Sequence, residues 1–112
     1  MNMLAIDNIQ SIHNTAMEAA QQASKNFADK HFNGRDGGPC GFAWVTVLEK
    51  GNTKLGRSLK EVGFRKSYRG GLQLWNRWWP GQSVDAAEHG AVAYAAVLKQ
   101  FGIDAYADSR LD

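Results

Sequence analysis

The chain has one cysteine, Cys40, and only two prolines among its 112 residues. A single thiol closes no internal bridge, and secreted domains of this size commonly carry an even set, so a reducing cytoplasm is the expected compartment. The opening stretch, Met1 to Asp7, lacks a basic segment leading into a continuous apolar one, and no run of about 18 apolar residues occurs anywhere. Export and membrane spanning are therefore not expected. Acidic residues are nearly missing from one region: Lys50 to Arg77 holds eight basic residues and a single acid, Glu61. The rest of the chain holds five basic and ten acidic residues, so a net charge of +2 conceals a strongly basic middle. Such asymmetry concerns partners more than fold.

Metal ligands are equally scarce. His13, His31 and His89 lie far apart with Cys40 as the only thiol, which matches no ligand spacing, and no metal or cofactor is expected. Cys40 paired with His31 or His89 would make a thiolate and imidazole couple for a small enzyme, since nucleophile and base need not be neighbours in sequence. Between Pro39 and Gly41, ahead of an apolar strand, Cys40 reads better as a small packing residue. Asp85 and Glu88 stand at a helix start, where capping explains them better than acid/base chemistry. The Gly-rich stretch from Gly34 to Gly41 follows a helix and opens a strand, the reverse of a phosphate-binding loop, and reads as a connector.

What the chain does have is apolar surface: 44% hydrophobic residues, with four Trp, five Phe and three Tyr. That suffices for one core in a single domain, 1–112, without a disulfide or metal. Ile6, Ile9, Ile12, Ala16, Ala20, Ala23 and Phe27 recur at spacings of three and four, predicting a long amphipathic helix within 1–32, with Asp7 and Gln10 as a capping box. Phe42 to Leu48 is aromatic, β-branched and apolar on both alternating faces, as expected of an interior strand covered on two sides. Thr53 caps a short helix carrying Leu55, Leu59 and Val62 and stopped by Gly63. Phe64–Tyr68 and Leu72–Asn76 form a hairpin turned by Gly70 and Gly71. Pro80 places Asn76 to Gln82 in an exposed or half-packed loop. Ser83 or Asp85 then caps a helix striped by Val84, Ala87, Ala91, Tyr94, Val97, Leu98 and Phe101, before a last strand at Ile103–Ala107. The expected fold is α+β: an N-terminal helix followed, over 42–112, by a β-α-β-β-α-β ferredoxin-like two-layer sandwich with an antiparallel sheet. A different small sandwich, with the first helix across an open sheet face, is the alternative.

The basic stretch carries the functional expectation. Lys54, Arg57 and Lys60 are three apart and share one face of the short helix, while Arg65, Lys66 and Arg69 sit on the hairpin and Arg77 follows it. Tyr68, Trp75, Trp78 and Trp79 are interleaved with them. Merged into one surface, these residues would draw phosphates by counterion release and stack bases on aromatic rings, which suits single strands. A protein partner is the alternative, since Trp, Tyr and Arg also dominate interface hot spots. A four-stranded sheet backed by helices is also the shape of the RNA-recognition module, whose Lys/Arg-Gly-Phe-Gly-Phe signature does not occur here.

Gly41-Phe42-Ala43-Trp44-Val45-Thr46-Val47, Gly51-Asn52-Thr53-Lys54-Leu55-Gly56, Gly63-Phe64-Arg65-Lys66-Ser67 and Gly70-Gly71-Leu72-Gln73-Leu74-Trp75-Asn76 resemble small uncharacterised proteins of tailed bacteriophages, as does the tail from Ala95. The resemblance runs from about Gly38 to the end and carries no named activity. It implies a viral accessory protein acting in the host cytoplasm, a non-enzymatic binder that blocks a host defence or host machine in the manner of anti-CRISPR proteins. A virion or assembly component burying Trp78 and Trp79 in a homodimer or other homomeric interface is the second expectation, and a small enzyme the third.

Overall fold

The computed structural model describes residues 8–112. The elements in chain order are α1 (Ile9–Phe32), β1 (Gly41–Val47), α2 (Lys54–Glu61), β2 (Arg65–Lys66), β3 (Leu72–Trp75), α3 (Val84–Gln100) and β4 (Ala105–Leu111). The protein is α+β, with four antiparallel strands in the order β2-β3-β1-β4.

In α1 the buried positions are Ile9, Ile12, Ala16, Ala20, Ser24 and Ala28. From Ile12 onward the buried row steps by four, so it passes through Ser24 and Ala28 and leaves Ala23 and Phe27 half-buried. Gln10 donates to Asn14 one turn on, while Ile6 and Asp7 of the expected stripe and capping box lie outside the described residues. The helix ends at Asn33, whose left-handed φ of 53° turns the chain so that Gly34 N–H reaches Ala28 O.

α1 lies along α3, and the contact is close because its side chains are small. Ser24 donates to the Ala86 carbonyl at 2.6 Å, which satisfies a fully buried hydroxyl. Opposite it, a Cβ at Gly90 would run into Ser24 and the Trp78 indole. Ser83 caps α3 by accepting from Ala86 N–H, and Thr53 caps α2 by accepting from Gly56 N–H.

Strand alternation sorts the sheet into two faces. Ala43, Val45 and Val47 of β1, Leu72 and Leu74 of β3 and Ala105 of β4 are buried in one core with Leu55, Leu59, Phe64, Tyr94 and Leu98. The opposite face bears Phe42, Trp44 and Thr46 beside Gln73 and Trp75 on one flank and Tyr106, Asp108 and Arg110 on the other. Among the described residues, helices cover the first face only. β1 is central in the sheet as expected, but its second apolar row meets aromatic neighbours instead of a second layer.

Two boundaries differ from expectation. β2 is only Arg65–Lys66, because Ser67 already enters the turn, where Gly70 and Gly71 take φ of 99° and 75°. β4 starts at Ala105 and runs on through Asp108, Ser109 and Arg110, polar residues that end the apolar pattern but not the backbone ladder to β1. Of the two states expected for Asn76 to Gln82, exposed or half-packed, the loop is half-packed: Trp78 is 4% exposed, and its indole N–H donates to Ala87 O at 2.8 Å.

Candidate functional site

The open face concentrates aromatic surface. Trp75, 40% exposed, stacks on Trp44 with centroids 4.7 Å apart and meets Phe42, 41% exposed, edge to face at 6.0 Å. The Trp75 indole N–H donates to Gln73 Oε1 at 3.2 Å, which fixes the ring on the sheet. Arg110 reaches over this group from β4, its guanidinium carbon 5.3 Å from the Phe42 centroid and 5.8 Å from that of Trp75. Tyr106 adds a third part-exposed ring on β4.

A cleft of about 510 Å³ opens on this face, lined by Trp44, Tyr68, Arg69, Trp75, Asp108 and Arg110 among others. Tyr68, 93% exposed, and Arg69 overhang it from the β2–β3 turn. Its floor holds an unusual atom: Trp44 is 9% exposed, and its Nε1–H is the one buried side-chain donor without a partner among the described residues. An unmet buried donor costs about 1 to 3 kcal/mol.

The residues expected to form one cationic surface fall into three groups. Arg65, Tyr68, Arg69 and Trp75 belong to the open face or its rim, since Arg65 is in register with Gln73. Lys54, Arg57 and Lys60 are on the exposed side of α2, opposite buried Leu55 and Leu59, in the helical layer behind the sheet. Lys60 and Lys66 meet instead at a second cleft beside the hairpin. Arg77 is beside Gly63 and exerts its charge on His13 and Tyr94, away from the open face. Trp78 is a core residue, which removes it from any stacking surface or homomeric interface, and Trp79 is half-buried with its indole N–H on Asp36.

Phe42, Tyr106 and Arg110 were missed from sequence. Phe42 sits in a run that reads as wholly buried, and Arg110 is 35 residues from Trp75 in the chain. The signal that would have found them is alternation in β1 combined with pairing to both β3 and β4.

Cys40 is exposed, with Sγ donating to Gln82 Oε1 at 3.4 Å, so it does not serve as a packing residue. His89 stacks on Phe27 at 4.1 Å and directs Nδ1 to Asp85 O, and His31 lies on the same Phe27 ring. Among the described residues, no three His, Cys, Asp or Glu side chains converge as a metal set. No helix of the described residues is long and apolar enough to cross a membrane.

Two titratable groups meet behind the sheet. His13 Nδ1 and Tyr94 Oη are 2.7 Å apart. Burial, with the Arg77 charge second, lowers the His13 pKa, while burial pushes that of Tyr94 up against the opposing pull of Arg77.

Comparison with protein-family models, curated proteins and solved structures finds no match. The class the fold defines is an α+β domain with an antiparallel sheet, one aromatic face of which no described helix covers.

Proposed function

We propose that this chain is a non-enzymatic binding protein that holds single-stranded nucleic acid on the open face of its sheet. The observation that carries this reading is the Phe42–Trp75 pair, two part-exposed rings fixed on a rigid sheet with Arg110 across them. Bases stack on such rings at about 1 to 3 kcal/mol each with little regard to sequence, and the arginines supply phosphate contact. The unpartnered Trp44 N–H adds support, because an acceptor carried in by a ligand would relieve its cost. A β-α-β-β-α-β order with the strands ranged β2-β3-β1-β4 supports a ferredoxin-like sandwich, a shape suited to presenting one sheet face.

The resemblance to phage proteins supplies a setting in the host cytoplasm, where a small binder of this kind inhibits a defence or redirects a host machine by occupying its nucleic acid. The test is fluorescence anisotropy of labelled single-stranded and duplex DNA and RNA at low and moderate salt, with Phe42→Leu/Trp75→Leu beside the unaltered protein. Single strands binding in a salt-sensitive way, about tenfold or more weaker in the double variant, is the expected result. No binding at low salt would move the partner to a host protein.

A further inference from the structure

The β2–β3 turn separates two concavities. On one side is the aromatic cleft, bordered by Ser67, Tyr68 and Arg69; on the other is a cleft of about 490 Å³ bordered by Ser67, Gly70 and Gly71. The second cleft gathers Lys50, Lys60 and Lys66 from three separate segments: the β1–α2 connection, α2 and edge strand β2. Lys60 lies so close over Gly51 that a Cβ there would come within 2.6 Å of its Nζ.

None of these lysines forms a salt bridge among the described residues. The one salt bridge between described residues is Lys25–Asp29, on the far helix α1. Glu49, the single acid bordering the cleft, accepts from Thr53 Oγ1 at 2.6 Å and sits outside salt-bridge range of all three ammonium groups. Three lysines against one carboxylate leave the cleft with a net positive charge, and an entering anion relieves the repulsion among them.

Resting on the reading of the open face given above, we infer that the Lys50–Lys60–Lys66 cleft is a phosphate subsite for the same ligand: the strand's bases lie on Trp75 and Phe42, and its backbone crosses the Tyr68–Gly71 turn into the lysines. The ligand is then a run of several linked nucleotides, not a mononucleotide. A stiff duplex, whose bases are paired and unavailable for stacking, does not follow that course.

The experiment is anisotropy of a fluorescein-labelled oligothymidine of about ten nucleotides, titrated across about 50 to 200 mM salt. The proteins compared are the unaltered chain, Lys60→Gln/Lys66→Gln, and Lys30→Gln/Arg35→Gln as a charge-matched control at the C-terminal end of α1, outside the cleft lining. Each single-strand phosphate contact contributes about 0.7 to the salt slope, so the cleft variant should lose about 1.4 while the control keeps the full slope. Unchanged affinity and slope in the cleft variant, or an equal loss in the control, overturns the subsite and leaves the aromatic face standing. If the unaltered protein fails to bind the oligomer at low salt, both readings fall together.

Discussion

The carboxylate of Asp36 accepts the indole N–H of Trp79 at 2.8 Å, joining a Gly-rich connector to a loop 43 residues further along the chain. The same carboxylate accepts Gln82 N–H at 2.7 Å and Ser83 N–H at 2.9 Å, so one exposed side chain pins the entry to α3. Gly81 leaves the space it needs, since a Cβ there would overlap the carboxyl group. Asp36→Ala should destabilise the fold by about 1 to 2 kcal/mol, read from the midpoint of urea unfolding at neutral pH.

Acid should act on the same contact. Desolvation raises the Asp36 pKa, but the hydrogen bonds from Gln82, Trp79 and Ser83 together outweigh it and hold the carboxyl below its ordinary 3.8. The folded state therefore favours the ionised form: its contribution is complete above about 3.8 and is lost as pH falls through the lower folded value. Urea midpoints measured between pH 5 and 2, as an approximate range, should fall less in Asp36→Asn than in the unaltered protein.

His13 titrates in a separate window. Its folded pKa lies below 6.5, so the unfolded chain takes up the proton first, and stability, complete above about 6.5, declines as pH drops toward the folded value. His13→Gln keeps a partner for the Tyr94 hydroxyl while removing the titration. Its unfolding midpoint should be flat across the interval in which the unaltered protein weakens.

Gly90→Ala is the substitution expected to damage the helix pair most for its size. The added methyl meets Ser24 Oγ and the Trp78 indole, disturbing the hydrogen bonds to Ala86 O and Ala87 O together. Overpacking of this kind costs about 1 to 3 kcal/mol, against a helix-propensity gain of about 1. Thermal unfolding should show a net loss, and a rise in melting temperature would mean that α1 and α3 move apart without penalty.

Arg110→Gln tests the open face by charge instead of by ring. It removes the guanidinium held over Phe42 and Trp75. Single-strand affinity should fall about five- to tenfold and the salt slope by about 0.7, with folding stability changed by no more than about 0.5 kcal/mol.

Most of the element order was legible because it rests on local chemistry: Thr53 and Ser83 cap where hydroxyls precede apolar stripes, and Gly70 and Gly71 turn where positive φ is needed. The fate of the tryptophans was not. Trp75, Trp78 and Trp79 fall within five residues, yet one is on the sheet face, one in the core and one on Asp36. That sorting depends on which oxygen each indole N–H meets: the Gln73 side chain two residues from Trp75, the Ala87 carbonyl 9 residues from Trp78 and the Asp36 carboxylate 43 residues from Trp79. Asp36 passed as part of a plain connector for the same reason: its three donors come from a segment that sequence order does not place beside it.

The helical layer encloses most of the core, while on the open face only Trp44 and Thr46 of the strand residues are buried. Phe42, Trp75, Tyr106 and Arg110 can each be exchanged without touching the seam between α1 and α3 or the apolar row beneath the sheet. Under the proposed reading, binding and folding rest largely on different residues, so a domain so divided can change its preference one exposed side chain at a time while its frame stays fixed.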